Sequence, residues 1–124
     1  MTSHKELNVW KKGIELVKEI YKITNDFPTA EQFGLISQIR RCSISIPSNI
    51  AEGCGRHSDK ELIHFLYITL GSASELETQI IISQELGFLE KEKSENTQVM
   101  ILEIIKMTSS LIKSINDRTE KTNN

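Results

Sequence analysis

The chain has 124 residues, 38% of them hydrophobic and 26% charged, the proportions of an ordinary globular chain able to bury one sizeable core. Its formal charge of -2 argues against a general polyanion binder, and no apolar run reaches the roughly 18 residues that a membrane span needs. Two prolines and six glycines are few for a loop-rich all-β architecture and favour helices.

Residues 6–25 carry Leu7, Trp10, Ile14, Val17, Tyr21 and Thr24 at spacings of three and four, one helical stripe. Leu16, Ile20 and Ile23 form a second, offset stripe. Asp26, Phe27 and Pro28 end this helix, because the residue before a proline resists the helical region. Thr29-Ala30-Glu31-Gln32 has the form of a capping box and opens a second helix over 30–54. Ile36, Ile39, Ser43, Ile46 and Ile50 keep the helical rhythm straight through Pro47.

The stretch RRCSISIPSNIAEGCGR, residues 40–56, alternates serine and isoleucine as a strand would. A strand of about four residues would need a partner for its backbone groups, and the other β-branched runs sit inside helical patterns. A helix bent at Pro47 is the better reading, with Ser48 or Asn49 placed to take up the released backbone group and with Gly53 and Gly55 as its stop.

Ser58-Asp59-Lys60-Glu61 is a second capping box and opens a helix over 59–86. Its stripe is Leu62, Leu66, Thr69, Ala73, Leu76, Ile80 and Ser83, and Leu86-Gly87 suits a left-handed cap. Gly71-Ser72-Ala73-Ser74 holds weak helix formers, which predicts close approach of another helix there. A fourth helix over 91–118 turns Ile101, Leu102, Ile105, Leu111, Ile112 and Ile115 inward, and residues 119–124 are polar and expected to fray. The whole is one all-α domain over 1–124, an up-down-up-down antiparallel four-helix bundle.

The third helix has more apolar surface than one bundle needs. Ile80, Ile81 and Ile82 together cover roughly 200° of a helix, so one of them faces away from the core. Ile63, Tyr67, Leu70 and Ile81 trace a second route along it. An exposed strip of this sort marks an interface, which predicts a homo-oligomer.

Arg40, Arg41, Arg56 and Lys60 outnumber Glu52 and Asp59 between residues 40 and 60, and His57 adds charge below neutral pH. Arg56, His57 and Lys60 sit at a loop and helix start, where free amides also favour anions. These five are the candidate contacts to RNA or to another partner. The competing reading pairs Arg40 or Arg41 with Glu52, Glu75 or Glu77 between helices.

Gln38, Arg41, Asn49, Glu52, Glu75 and Glu77 read as a hydrogen-bonded network that fixes helix register. A hydrolase using Glu52 and Glu75 is the alternative. Glu75 and Glu77 lie about 200° apart around a helix and cannot act as a pair, and His57 and His64 are about 10 Å apart, too far for one metal ion. Cys42 and Cys54 lack CxxC partners and are expected to be small buried or half-buried thiols. With no P-loop, GxGxxG or HExxH, no enzyme, metal or cofactor is expected. The amino terminus, MTSHKELNVWKK, lacks the apolar core of a signal peptide, which makes the cytoplasm the expected location, with no membrane partner.

The segments VWKKGIELVKEIYKIT, FP, SQIRRCSISIPSNIAEGCGR, FLYITLGSASELETQI and LGFL fall in the order and spacing of a known family. The chain resembles the four-helix-bundle proteins encoded by intervening sequences of bacterial 23S ribosomal RNA genes, from about Leu7 to Leu89. SIPSNIAEG combined with GSASELE is the most specific part. The accessory variability protein of diversity-generating retroelements looks similar too, and it is strongly basic where this chain is not. The resemblance implies a four-helix protomer assembling into a ring-shaped homopentamer of undefined biological role. It also implies a nucleic-acid-binding accessory protein as the runner-up function. Gly13 and Cys42 stand where the family more often has alanine.

Overall fold

The computed structural model describes residues 3–123; Met1, Thr2 and Asn124, the last of them expected to fray, lie outside the described residues. Four α-helices carry the fold: α1 Asn8–Thr24, α2 Leu35–Cys54, α3 Asp59–Glu85 and α4 Lys91–Asn123. No strand occurs among the described residues.

Around the bundle, α1 packs on α2 and α4, and α3 packs on α2 and α4. On three of these four seams the end of one helix meets the start of its neighbour. Arg40 of α2 donates to Thr24 at the end of α1, 2.9 Å, and Gly53 at the end of α2 lies against Leu62 and Phe65 near the start of α3. Arg118 near the end of α4 pairs with Asp59 at the start of α3, 3.0 Å. The buried aliphatic residues of all four helices form one cluster.

On α2, Ile36, Ile39, Ser43, Ile46 and Ile50 are all buried, and on α3 the whole stripe from Leu62 to Ser83 is buried too. On α1 the first stripe is not the core face. Val9, Gly13, Leu16, Ile20, Ile23 and Thr24 are buried, while Ile14 and Tyr21 face outward. The shorter aliphatic stripe wins because Val9 and Gly13 extend it to the helix start, where Gly13 fits against Pro47 and Ile46. On α4, Leu102 is exposed, and Ile104 and Thr108 take the inner positions beside Ile101, Ile112 and Ile115.

Thr29 does not open α2. It starts a 3₁₀ turn, Thr29–Glu31, and α2 begins at Leu35, because Gly34 leaves the helical region with ψ -109°. Ser58 does cap α3, accepting from the Glu61 amide at 3.2 Å. At the other end of α3 Gly87 takes φ 79°. The Phe88 and Gly87 amides there return to the Ser83 and Gln84 carbonyls, and this double closure is the Schellman cap that glycine permits. Phe88 then packs on buried Phe27, ring centroids 5.9 Å apart.

The interior also holds hydroxyls. Thr24, Thr69, Ser83, Thr97 and Thr108 are buried, and each donates to the carbonyl four residues back on its own helix. Such back-bonding satisfies the hydroxyl without a partner on another helix.

The segment expected to fray, 119–124, is helical as far as Asn123. Asp59 supplies the reason, since its carboxylate accepts from both Arg118 and Thr119, each at 3.0 Å. Replacing Asp59 with alanine removes both ties. Hydrogen exchange at the last turn of α4 is expected to speed up several-fold, with less than about 1 kcal/mol lost globally, since the pair is solvated.

Candidate functional site

α2 is 20 residues long, about 30 Å, and it holds the five candidate cations apart. Arg40 and Arg41 sit near its start; Arg56, His57 and Lys60 lie past its end. They do not form one patch. Arg40 is spent on structure, bonding Thr24 and the Tyr21 carbonyl with its guanidinium 4.4 Å from the Tyr21 ring centre. Arg56 pairs with Glu52 at 2.6 Å and lies 4.8 Å from the Phe65 ring centre. The expected pairing of Arg40 or Arg41 with Glu75 or Glu77 is absent among the described ion pairs.

At the α2–α3 turn a polar hollow of about 410 Å³ is lined by Cys54, Arg56, His57, Asp59 and, from α4, Arg118. Arg118 escaped the sequence reading because the fourth helix carries no motif, and only the closing of α4 onto α3 brings it there. His57 and Lys60 are exposed at this end, and Glu52 and Asp59 offset the cations.

The expected register-fixing network is not built. Asn49 donates to the Ser45 carbonyl at 2.8 Å, Glu52 takes Arg56, and Glu75 accepts from Gln79 at 3.3 Å. Each bond stays within its own helix or the turn that ends it, because an i, i+4 partner is always within reach. Gln38 is exposed and Glu77 half-buried. Glu52 lies near the end of α2, whereas Glu75 lines a groove between α2 and α3 with Gln38, Arg41, Cys42, Ser45 and Ser72. The two carboxylates do not share a cleft. No group of three or more His, Cys, Asp or Glu side chains among the described residues is placed to hold a metal ion.

Cys42 marks where α2 and α3 come closest to the predicted small-residue contact. Its thiol donates to the Ser72 carbonyl at 3.1 Å, and Ala73 beside it is fully buried. Gly71 takes no part and faces open space. Burial, and then the charge of Glu75, push the Cys42 thiol up to about 12 from 9.0; burial also raises Cys54. The folded thiol therefore stays neutral where the unfolded one ionises. This contribution to stability is complete below pH 9.0 and is lost as pH rises toward about 12. Urea titrations across that range are expected to show a decline that Cys42→Ala reduces, and Cys42 should resist thiol reagents until the chain unfolds.

The four interface candidates divide. Tyr67 and Ile81 are exposed, whereas Ile63 and Leu70 are half-buried and pack against the core. The true outer face of α3 has Tyr67 and Ile68 at one end, Gly71, Ser74 and Thr78 in the middle, and Ile81, Ile82 and Leu86 beyond. Thr78 turns its hydroxyl back to the Ser74 carbonyl, 3.1 Å, which leaves that middle small and less polar. A second apolar surface surrounds Phe33, 91% exposed, in an open groove of about 460 Å³ between α1 and α2 with Tyr21, Ile36, Ile44, Arg40 and Arg41. Phe33 lies in the turn before α2, within the range 30–54 expected to be helical, where no spacing pattern distinguishes it.

No helix among the described residues is long and apolar enough to cross a membrane. The sequence matches the profile of a family described as 23S rRNA-intervening sequence protein over residues 5–110. Among solved structures it is similar to a protein of unknown function of the S23 ribosomal protein family from Bacteroides thetaiotaomicron VPI-5482. The two share 27% identity over 85% of this chain and 95% of that one, with a TM-score of 0.79. No curated protein matches the chain.

Proposed function

The chain belongs to the 23S rRNA-intervening sequence protein family, and from that premise we propose that it works as a non-enzymatic, oligomeric helical scaffold. The observation that carries this reading is the outer face of α3, where Tyr67, Ile68, Ile81, Ile82 and Leu86 remain exposed after the protomer has closed its own core. Two exposed apolar clusters on one helix face, joined by the small residues Gly71, Ser74 and Thr78, form the kind of surface that another protein covers. The covering protein is a further copy of the chain, and five copies follow from the family resemblance. The reading locates the protein in the cytoplasm, which its two unpaired cysteines, Cys42 and Cys54, support. Sedimentation equilibrium at micromolar concentration is expected to return a homo-oligomer. A chain that stays monomeric sinks the scaffold.

Contact with RNA is a second reading, favoured by the arrival of Arg118 beside Arg56 and His57. Phosphate contacts there would give filter binding to structured RNA that weakens steeply with salt. No retention at low salt removes it.

A further inference from the structure

We propose that the Phe33 groove of one copy seats on the outer face of α3 of the next, joining copies head to tail. The proposal rests on the oligomeric reading above and adds to it the two surfaces that meet.

Both surfaces are apolar, and their charges are opposite. The charged residues lining the Phe33 groove are Arg40 and Arg41, and Arg41 makes no ion pair among the described residues. From Gly71 to Glu85, α3 carries no lysine or arginine; Glu85 is exposed, Glu77 half-buried, and exposed Glu75 also lines the α2–α3 groove with Arg41 of its own copy. Groove against groove would set arginines against arginines, and α3 against α3 would set carboxylates against carboxylates. Groove against α3 brings unlike charges together around buried apolar centres, which is the arrangement that selects a partner.

Shape points the same way. Phe33 projects from a turn fixed between the 3₁₀ segment Thr29–Glu31 and the start of α2, so it loses little freedom on docking. The middle of the α3 face is correspondingly low. A Cβ placed on Gly71 would meet nothing within 4 Å, and Ser74 adds little height, so an aromatic ring can reach the helix surface there between Tyr67 and Ile81. Aromatic anchors seated in this way dominate interface energies. Because the two surfaces lie on different helices of one protomer, each copy offers one of each, and the contact is heterologous.

Sedimentation velocity on the full chain and on two surface variants tests this. Phe33→Glu spoils the groove and keeps α3; Ile82→Lys spoils α3 and keeps the groove. Both positions are exposed, so far-UV circular dichroism should match wild type; Phe33→Ala and Ile82→Ser serve if either charged variant does not fold. Wild type is expected to form a species larger than a dimer, and each variant alone to be monomeric. Mixed in equal amounts, the two are expected to form a heterodimer and nothing larger, since only one intact groove and one intact α3 face remain to meet. Wild-type assembly that both variants retain, or a mixture that stays monomeric, overturns the proposal while leaving an oligomeric scaffold standing. A monomeric wild type overturns both.

Discussion

Gly53→Leu is expected to cost about 3 kcal/mol or to prevent folding, and Gly53→Ala about 1 kcal/mol. Gly53 is buried in the last turn of α2. A Cβ there would lie 2.9 Å from Phe65 Cβ, 3.0 Å from Leu62 Cδ1 and 3.3 Å from the Leu62 carbonyl oxygen. Two of those three atoms are backbone or directly attached to it, so relief requires α3 to shift bodily. Alanine gains about 1 kcal/mol of helix propensity over glycine, which offsets part of the overlap and makes it the milder variant. Gly71→Ala is the control. Also a helical glycine, it meets nothing within 4 Å, and alanine there should gain about 1 kcal/mol at dilutions where copies are separate. Urea midpoints moving in opposite directions for Gly53→Ala and Gly71→Ala confirm that the α2–α3 approach, and not helix propensity, holds glycine at residue 53. Parallel shifts would remove that explanation.

The core faces of α2 and α3 were legible because each carries a continuous run of apolar and small hydroxyl residues at spacings of three and four, whereas the second route on α3 is interrupted at Ser74 and Glu77. α1 was harder because two stripes compete, and the decision falls to Val9 and Gly13, which look unremarkable until Gly13 is set against Pro47. The start of α2 was misread because Thr29 and Gln32 satisfy a capping pattern whose outcome depends on Gly34. Polar residues were the least legible. Hydrogen bonds of Asn49, Glu52 and Glu75 close within four residues, and no spacing rule separates that from pairing across helices. Arg40 and Arg56 looked close in a list of charges, yet a helix of about 30 Å keeps them at opposite ends. Phe33 and Arg118 gained their positions from tertiary closure alone.

Ile104→Ala is expected to cost 2–5 kcal/mol, in the range of about that size seen for large-to-small core changes, whereas Thr108→Val, one turn later on α4, should change stability by less than about 1 kcal/mol. Ile104 is 1% exposed and Thr108 0%, so burial does not separate them. Their chemistry does. Truncating Ile104 removes methyl and methylene groups from the cluster shared by all four helices, and the neighbours cannot close the space because they are fixed by their own contacts. The Thr108 hydroxyl donates only to the Ile104 carbonyl, 2.7 Å, an acceptor that also faces the Thr108 amide in the helix ladder. Valine replaces the hydroxyl with a methyl of similar size and leaves no backbone group unpaired. Thermal or urea denaturation of the two variants decides between this account and one in which the buried hydroxyls tie the helices together. In the second case Thr108→Val would lose as much as Ile104→Ala.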